Sequence, residues 1–559
     1  LPALVITWTF VITPGGVMRD TPVARSSARR MDVVSAILVL AAIIYIIVYS
    51  MWPGPGAPQP SANQSAAAGE LAGLQSKSAE PAYPANSIAV LPFVNMSDDA
   101  DNEYVSDGVS EELLNLLTKV GTLKVTSRSS AFSFKGKELD IQTIADKLRV
   151  AHVVEGSVRK AGDRVRITVQ LIDAQSDTHL WSATFDRKLD DIFAIQDEIA
   201  RSVVERLKVT LLGDVPTSRP IDTEAYTLYL QARHLGRQYN ARGLEQSNRL
   251  YEKALAIDGE IAGAWSGLAT NYSNQAMNGL VSPEEGFSRA RIAAQKSLEI
   301  DPGYAPAHAN LGWIAYGYEN DVAQAARHYQ RALQLDPANT YIIRSVAVLM
   351  RSLNRLDDAI ALGEYVTRLD PLVASGHHNL GISYFRARRW DESIASQQPV
   401  LDLSPNYIGA NYHIGAALLF NGKPQAALDT FSREPDEEYK VKGAAMALYA
   451  LGRHEESEAS LAELSERWGE EWPTEVAHVH AYTGNAEAAF QWLNRAIEQN
   501  EEGLAEQFQM PYFEPLHDDP RWRPFLERVG SSPGLIGSIP FEMTLPGFVG
   551  AGSTMIDLN

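Results

Sequence analysis

The sequence contains no cysteine among its 559 residues. Disulfide bonds, thiol nucleophiles and cysteine metal sites are therefore excluded. The sequence also lacks a nucleophile elbow, a glycine-rich phosphate loop and a His-Glu-x-x-His motif, which are patterns of hydrolases, nucleotide-binding proteins and zinc proteases. We therefore predict no catalytic residue, no cofactor and no metal site in these residues, and no enzyme activity of their own.

Positive charge is scarce, with 49 lysines and arginines against 69 acidic residues and a formal net charge of −20. Residues 1–52 carry four arginines and two aspartates, so the rest of the chain carries −22. An acidic body argues against a nucleic-acid surface, so we expect no direct contact with nucleic acid in this part of the chain. The same balance is ordinary for a soluble acidic protein. The length suggests three to four domains.

Charge is absent from residues 33–52, which read VVSAILVLAAIIYIIVYSMW. A helix of this length covers a hydrocarbon core of roughly 30 Å, so we predict a transmembrane helix. Four arginines precede it, and Trp52 suits the far interface, so the basic loop 13–32 is expected in the cytoplasm and everything after Pro53 outside it. The four arginines are Arg19, Arg25, Arg29 and Arg30. A cleaved signal peptide is the alternative, but the run is longer than a usual signal core and no convincing cleavage motif follows.

Two segments flank this predicted anchor. The chain begins at Leu1 rather than methionine, and residues 1–12 (LPALVITWTFVI) are apolar but too short to span alone. We expect them to be the tail of a truncated membrane helix. Residues 53–86 are rich in proline, glycine and serine and have too few apolar residues to pack, which predicts a flexible linker.

Prolines repeat along the second half of the chain at nearly constant spacing. The steps of 35, 34 and 34 residues separate Asp301-Pro302, Asp336-Pro337, Asp370-Pro371 and Ser404-Pro405. A 34-residue period is that of a helix-turn-helix unit, which predicts an all-α solenoid over 222–500. Small residues recur in phase in the first helices, where they would let two helices pack closely: Leu311-Gly312, Val346-Ala347, Leu380-Gly381 and Ile414-Gly415. The pattern resembles the tetratricopeptide repeat. It also includes Trp265, Leu268, Ala269 and Tyr272 in one first helix, and Ala254, Ala332, Ala359 and Ala427 in second helices.

Residues 87–211 alternate between strand and helix patterns and predict an α/β domain. Lys160-Ala161-Gly162-Asp163 is a hairpin signal between two of the strands. Strand patterns cover 87–94, 123–127, 151–159, 164–173 and 179–185, and helical patterns cover 102–119, 141–148 and 190–208.

The stretches IAVLPFVNMSDDADNEYVSDGVSEELLNLL and IADKLRVAHVVEGSVRKAGDRVRITVQLIDAQSDTHLWSATFDR resemble the TolB amino-terminal-like (FlgO-type) domain. The resemblance implies a bacterial protein in which tetratricopeptide repeats follow this domain. It also implies that a cytoplasmic output domain can precede the anchor, either a winged-helix domain or an adenylate or guanylate cyclase. The predicted fold is thus a TolB-N-like α/β domain, then an all-α tetratricopeptide solenoid, behind an N-terminal transmembrane helix.

The possible metal ligands in the sequence do not have the spacing of known metal-binding motifs. The acidic cluster of Asp98, Asp99, Asp101, Glu103 and Asp107 lacks the order of a calcium loop, and a solvated helix start explains it better because acids are favoured there. The pairs His377-His378 and His478 with His480 lack a third ligand in phase, so surface or packing roles are favoured over metal binding.

The concave wall of the predicted solenoid offers candidates for protein or peptide binding. Aromatic residues and arginines dominate binding hot spots, although aromatic residues at helical spacing are usually core, so we expect about half of them to be exposed. The lysine and asparagine pattern of repeats that bind chaperone tails is not evident. The groove candidates are Trp313, Tyr316, Tyr341, Arg344, Arg351, His378, Phe385, Arg386, Tyr412 and Phe420.

The C-terminal region predicts an end to the array. Residues 501–530 follow a last repeat-like helix and predict a cap with a polar outer face. Residues 531–559 are glycine-rich and predict a disordered tail.

These observations favour a membrane-anchored scaffold or sensor of the bacterial inner membrane, with its main domains in the periplasm and a protein or peptide ligand in the repeat groove. The alternative is that the sequence is the sensory and anchoring half of a larger cyclase or winged-helix transcription regulator. In that case the output domain would precede Leu1.

Overall fold

The computed structural model describes residues 10–13, 16–19, 83–99, 102–120, 123–207, 221–501, 503–543 and 545. The predicted transmembrane helix, 33–52, lies outside these residues. Within them, no helix combines the length and the apolar content that crossing a bilayer requires. The chain divides into two units, 1–80 and 81–559.

The first unit contains a β-hairpin of β1 (Phe10–Thr13) and β2 (Gly16–Arg19), paired antiparallel. The last three residues of the predicted helix tail, 1–12, are therefore extended, and the other nine lie outside the described residues. Aromatic and β-branched residues before a Pro-Gly pair favour a strand and a turn.

The second unit begins with the predicted α/β domain. Its sheet has the strand order β5-β3-β6-β7-β8, with β4 also paired to β6. Strand β3 is parallel to β5 and β6, and the long strands β6 to β8 form an antiparallel meander. The strands are β3 (Ser87–Val90), β4 (Val94–Asn95), β5 (Lys124–Val125), β6 (His152–Ala161), β7 (Arg164–Asp173) and β8 (Thr178–Lys188).

Helices cover both faces of this sheet near β3. Alternate residues of β7, such as Val165 and Ile167, share one core with α1 and α4, while Ala89 and Val153 face α3. Successive side chains of a strand point to opposite faces of the sheet, so the alternation of apolar residues in β7 predicts which face is buried. The helices are α1 (Glu103–Thr118), α2 (Arg128–Phe132), α3 (Ile141–Leu148) and α4 (Ile192–Arg206).

The described residues from 223 to 498 form eight antiparallel helix pairs, a tetratricopeptide-like helical solenoid. Four of the second helices have a C-cap residue that precedes a proline, which disfavours continuation of the helix. These C-caps are Asp301, Asp336, Asp370 and Ser404. The predicted role of small residues is confirmed: a Cβ at Gly415 would lie 2.6 Å from the Phe431 ring.

The first helices of the pairs are α5 (Thr223–Gly236), α7 (Ala262–Met277), α9 (Ala305–Trp313), α11 (Thr340–Ser352), α13 (Ala374–Arg386), α15 (Ala410–Phe420), α17 (Glu437–Ala450) and α19 (Pro473–Tyr482). The second helices are α6 (Ala241–Ile257), α8 (Pro283–Ile300), α10 (Val322–Leu335), α12 (Leu356–Leu369), α14 (Trp390–Leu403), α16 (Pro424–Phe431), α18 (His454–Trp468) and α20 (Ala486–Glu498). A π-helical turn, Ile314–Tyr318, extends α9.

The C-terminal region is more than a cap. Helix α22 (Trp522–Arg528) packs against the last pair, as predicted, but α21 (Leu504–Gln507) and a 3₁₀ turn (Pro511–Leu516) lie against first helices. The prediction of a disordered tail over 531–559 is wrong for residues 531–543 and 545. Helix α23 (Pro533–Gly537) leads into Phe541 and Leu545, which are buried in the core of α9 to α12. The apolar side chains of Ile536, Phe541 and Leu545 order this part of the tail by burial in that core, despite its glycine-rich composition.

The α/β domain and the solenoid share an apolar core, and two sets of polar contacts at different points of the solenoid add to it. In the first set, the buried carboxylate of Glu111 on α1 pairs with three arginines. They are Arg128 of α2, Arg233 of α5 and Arg237, the C-cap residue of α5. Burial by itself would raise the pKa of Glu111, but the three arginines hold it at about 2. In the second set, Ser127 and Ser130 donate hydrogen bonds to the carboxylate of Asp370, the C-cap residue of α12.

We predict that Glu111→Gln destabilises the protein by about 3 kcal/mol at pH 7, because three half-buried guanidinium groups lose their buried carboxylate. The pKa of Glu111 is lowered on folding, so its contribution is present above about pH 4.5 and is lost as the pH falls toward 2. Urea unfolding at pH 7 and pH 3 measures both effects. Glu245→Gln, which breaks the exposed pair with Arg249, should change stability by less than about 1 kcal/mol. Equal losses for the two variants would contradict the prediction.

Candidate functional site in the concave groove

The first helices of neighbouring pairs contact each other along the array. They therefore form the inner wall of the superhelix, and the groove candidates lie on that wall. The structure divides the ten into three groups. Tyr341 is exposed, at 48%. Half-buried are Trp313, Arg344, His378 and Phe420, and buried are Tyr316, Arg351, Phe385, Arg386 and Tyr412.

The buried group is covered by the chain itself. Residues 503–516, which we call the inner segment, run along the wall near the C-terminal ends of α9, α11 and α13. The backbone N–H of Gly503 donates to the carbonyl of Gly317 at 3.1 Å. The N–H of Leu504 donates to the Asn320 side chain at 3.1 Å. These contacts fasten the start of the segment beside the third helix pair.

Glu506 is the central contact of the inner segment. Its carboxylate accepts a hydrogen bond from Arg351 Nε at 2.6 Å and another from the Tyr316 hydroxyl at 3.0 Å. Burial alone would raise the pKa of Glu506, but Arg351, then Arg386, and the tyrosine hydrogen bond lower it. The carboxylate is therefore ionised at neutral pH. It compensates the positive charge of Arg351, whose side chain is only 2% exposed.

Arg386 is buried beside this pair with less compensation. Its Nη2 donates to Gln509 Oε1 at 2.9 Å, and Gln509 Nε2 donates to the Ser352 carbonyl at 3.0 Å. Its Nε and Nη1 have no hydrogen-bond partner among the described residues. Burial lowers the pKa of Arg386 to about 10, so the side chain remains charged at pH 7.

Aromatic rings hold the second half of the inner segment. The hydroxyl of Tyr412 donates to that of Tyr512 at 2.9 Å, and the Tyr512 ring lies 5.8 Å from Phe385 and 5.5 Å from Phe420 between centroids. At the edge, Arg388 pairs with Glu514 at 2.6 Å. A continuous aromatic layer thus closes this part of the groove.

Lysine and histidine lie beneath Tyr512. The ammonium of Lys442, 2% exposed, donates to the Glu475 carboxylate and, at 3.0 Å, to His478 Nδ1. It also lies 4.8 Å from the centre of the Tyr512 ring. Burial lowers the pKa of His478 to about 4, so the ring is neutral and can accept this hydrogen bond.

The other predicted polar clusters are used within the fold. Glu103 and Asp107 pair with Lys135, and His377 contacts the Pro371 carbonyl. Asp98 pairs with Arg159, while Asp101 lies outside the described residues. Across the described part of the chain, no group of three or more possible ligands is arranged around a metal ion.

One part of the inner wall remains uncovered. We call it the open patch: Tyr239, Tyr341, Arg344, Tyr407 and Ile408. The Arg344 guanidinium lies 5.5 Å from the Tyr341 ring centre. Arg344 interacts electrostatically with Tyr341 and with Tyr407, and Tyr239 interacts with Tyr341. The four charged and aromatic side chains are therefore near enough to interact, although Tyr239 is 63% exposed. Ile408, which follows Tyr407 in the sequence, is 58% exposed.

Sequence reasoning missed the inner segment and most of the open patch. It treated 501–530 only as a cap, although two prolines and a high aromatic content, as in QMPYFEPL, disfavour a regular helix there. Tyr239 and Ile408 lie in or beside turns between helices, outside the repeat positions that the period selects. Only Tyr341 and Arg344 were found in advance.

Comparisons with known proteins find similarity to transcriptional regulators and to a putative adenylate cyclase. Residues 84–202, which coincide with the α/β domain, match the family model of the HilA/YgeH-like transcriptional regulator, second domain. The chain is 38% identical over 239 residues to the putative adenylate cyclase 3 of Rhizobium meliloti (strain 1021), covering 41% of this chain and 40% of that protein. It is 21% identical over 309 residues to the transcriptional regulator HilA of Salmonella typhimurium, covering 55% of each. The chain thus spans about half of these relatives.

Among solved structures, the chain is similar to the pilF protein of Pseudomonas aeruginosa. The identity is 16%, the match covers 36% of this chain and 92% of that one, and the TM-score is 0.30. The family model that matches the α/β domain differs in name from the TolB amino-terminal family, so that resemblance stays a prediction.

We predict that Glu501→Gln stabilises the protein by roughly 2–3 kcal/mol at pH 8 but not at pH 4. Glu501 lies just before the inner segment, and burial raises its pKa to about 7 against a usual value of 4.5. Wild-type stability should therefore fall relative to the glutamine variant as the pH rises from about 4.5 to 7. Glutamine can still accept the hydrogen bonds that Thr474 donates at 2.9 and 2.8 Å.

Thermal melts between pH 4 and pH 9 measure this difference. Glu498→Gln, at an exposed position three residues earlier, is the matched control and should follow the wild type throughout. A glutamine variant at 501 whose advantage does not grow with pH would contradict the prediction.

Proposed function

We propose that the chain is a non-catalytic interaction module that binds a protein or peptide on the open patch of its concave groove. The observation that carries the proposal is an accessible cluster of tyrosines around an arginine that makes no ion pair among the described residues. Tyrosine and arginine are enriched in binding hot spots because they offer large, partly polar contact surfaces. The inner segment covers a different part of the wall, near the C-terminal ends of α9, α11 and α13.

The role that suits this module best is sensing or scaffolding at the bacterial inner membrane. Support comes from the sequence: the uncharged run 33–52 follows four arginines, and a proline-rich linker separates it from the α/β domain. The motifs that resemble the TolB amino-terminal-like (FlgO-type) domain point the same way. On this proposal the two main domains lie in the periplasm, and the ligand is captured there.

A second candidate function is that of the sensory half of a larger regulator. Two observations favour it: one relative is named a putative adenylate cyclase and another a transcriptional regulator, and this chain aligns with part of each. The output would then be a cyclase or winged-helix domain encoded before Leu1. An open reading frame of several hundred codons upstream favours this candidate, and an in-frame start codon within about 60 codons excludes it, because a domain of typical size needs more.

The open patch can be tested by site-specific photocrosslinking. We predict that p-benzoylphenylalanine in place of Tyr341 crosslinks a discrete partner in cells, and that Arg344→Glu in the same chain removes that product because the charge is reversed at the centre of the patch. The same reagent in place of Ile292, 55% exposed on the second helix α8, should give no such product. Arg331→Glu on α10 is the charge control. Identical products at both crosslinking positions would contradict the proposed site.

Membrane orientation has an independent test. We predict that alkaline phosphatase fused after Asn559 is active and that a fusion after Asp32 is inactive, because the enzyme matures only outside the cytoplasm and the four arginines retain their end of the span inside. Enzyme activity normalised to fusion-protein level is the measurement. The opposite pattern would place the domains in the cytoplasm.

A further inference from the structure

The inner segment shows what chemistry the covered part of the groove accepts. It contains helix α21 and the 3₁₀ turn. It presents a carboxylate to Arg351, an amide to Arg386 and a tyrosine to the aromatic layer. Its sequence over 503–516 is GLAEQFQMPYFEPL. The groove thus accepts acidic and aromatic side chains in a fixed order.

The charges of this arrangement do not balance. Two guanidinium groups, 2% and 6% exposed, face the single carboxylate of Glu506. That carboxylate is hydrogen-bonded to Arg351 and Tyr316, whereas Arg386 receives only the neutral Gln509 and has two nitrogens without a hydrogen-bond partner among the described residues. Buried charges are normally paired, since an unpaired one costs several kcal/mol.

We propose that Arg386 is a carboxylate subsite, and that the groove binds an acidic and aromatic peptide of a partner protein in place of the inner segment. The proposal rests on the proposed function, in that the solenoid is taken as a binding module, but it concerns a different part of the wall. A peptide with glutamate where Gln509 lies would neutralise the second guanidinium. A carboxylate bound by a buried arginine forms shorter and stronger hydrogen bonds than an amide.

The inner segment would then act as a weak internal competitor. Because it belongs to the same chain, it is always present at high effective concentration, and the apparent affinity for a partner falls by the fraction of molecules in which the groove is open. Because residue 509 is a glutamine, the inner segment binds the Arg386 subsite more weakly than a partner peptide with a glutamate at the equivalent position would.

The stability arm of the test uses Arg386→Met and Arg351→Met in the full-length chain. Arg386→Met removes a charge that lacks full compensation, so its melting temperature should equal or exceed that of the wild type. Arg351→Met leaves Glu506 buried without its main partner, so its melting temperature should fall. A fall for Arg386→Met as large as that for Arg351→Met would show that Arg386 is a structural residue, and would overturn the proposal.

The binding arm uses two labelled synthetic peptides with the sequence of residues 503–516, one native and one carrying Gln509→Glu. The protein is the full-length chain with Glu506→Gln, which weakens the inner segment but retains its shape. Fluorescence anisotropy should show the glutamate peptide binding about tenfold more tightly than the native peptide, since one added buried ion pair contributes on the order of that factor. Adding Arg386→Met should remove the difference.

Three results would overturn the proposal: equal affinities of the two peptides, equal binding to the wild type and to the Glu506→Gln protein, or no binding of either peptide. The first would show that Arg386 does not select a carboxylate, and the second that the peptides bind outside the covered groove. These failures are distinct from a failure of the proposed function, which is read from crosslinks at Tyr341 on the uncovered part of the wall. Peptide binding without such crosslinks would retain the Arg386 subsite and remove the open patch.

Discussion

Buried arginine is the physical constraint on which the arrangement of this protein depends. A guanidinium group cannot lose its proton at neutral pH, so each one that enters the interior needs a carboxylate and several acceptors. Glu111 meets this need at the junction between the α/β domain and the first helix pair, and Glu506 meets it in the groove. Both carboxylates bridge parts of the chain that are distant in sequence, so charge compensation fixes the tertiary arrangement.

The helix pairs themselves need only local contacts. In two pairs the helices pack closely where a glycine lies against a large side chain, Gly312 against Tyr329 and Gly415 against Phe431. Repeats of this kind could extend without limit, because each contacts mainly its neighbours. The inner segment and the tail residues near Phe541 follow the last pair in sequence and contact the third to fifth pairs. These contacts restrict the array to its present length and curvature.

This difference explains which features the sequence predicts. The period of the prolines, the alternation in Val165, Ile167 and Val169, and the hairpin at Gly162 are local signals, and the corresponding helices, faces and turn are present. The groove could not be predicted in the same way. Tyr316 and Glu506 are 190 positions apart, and Arg386 and Gln509 are 123 apart. Nothing in a repeat pattern distinguishes an arginine that faces solvent from one that a distant segment will cover.

The two junctions also link the domains mechanically. Helix α1 contacts the first helix pair through Glu111, while α2 contacts the end of the fourth pair through Asp370, which Thr340 also contacts at 3.2 Å. The α/β domain therefore spans a fixed distance along the superhelix. A ligand that changed the curvature between these pairs would have to break or shift one of the two contacts. Arg344 and Tyr341 lie on α11, in that same interval. Under the proposed function, a partner bound at the open patch would therefore act on the stretch of repeats that the α/β domain contacts at both ends.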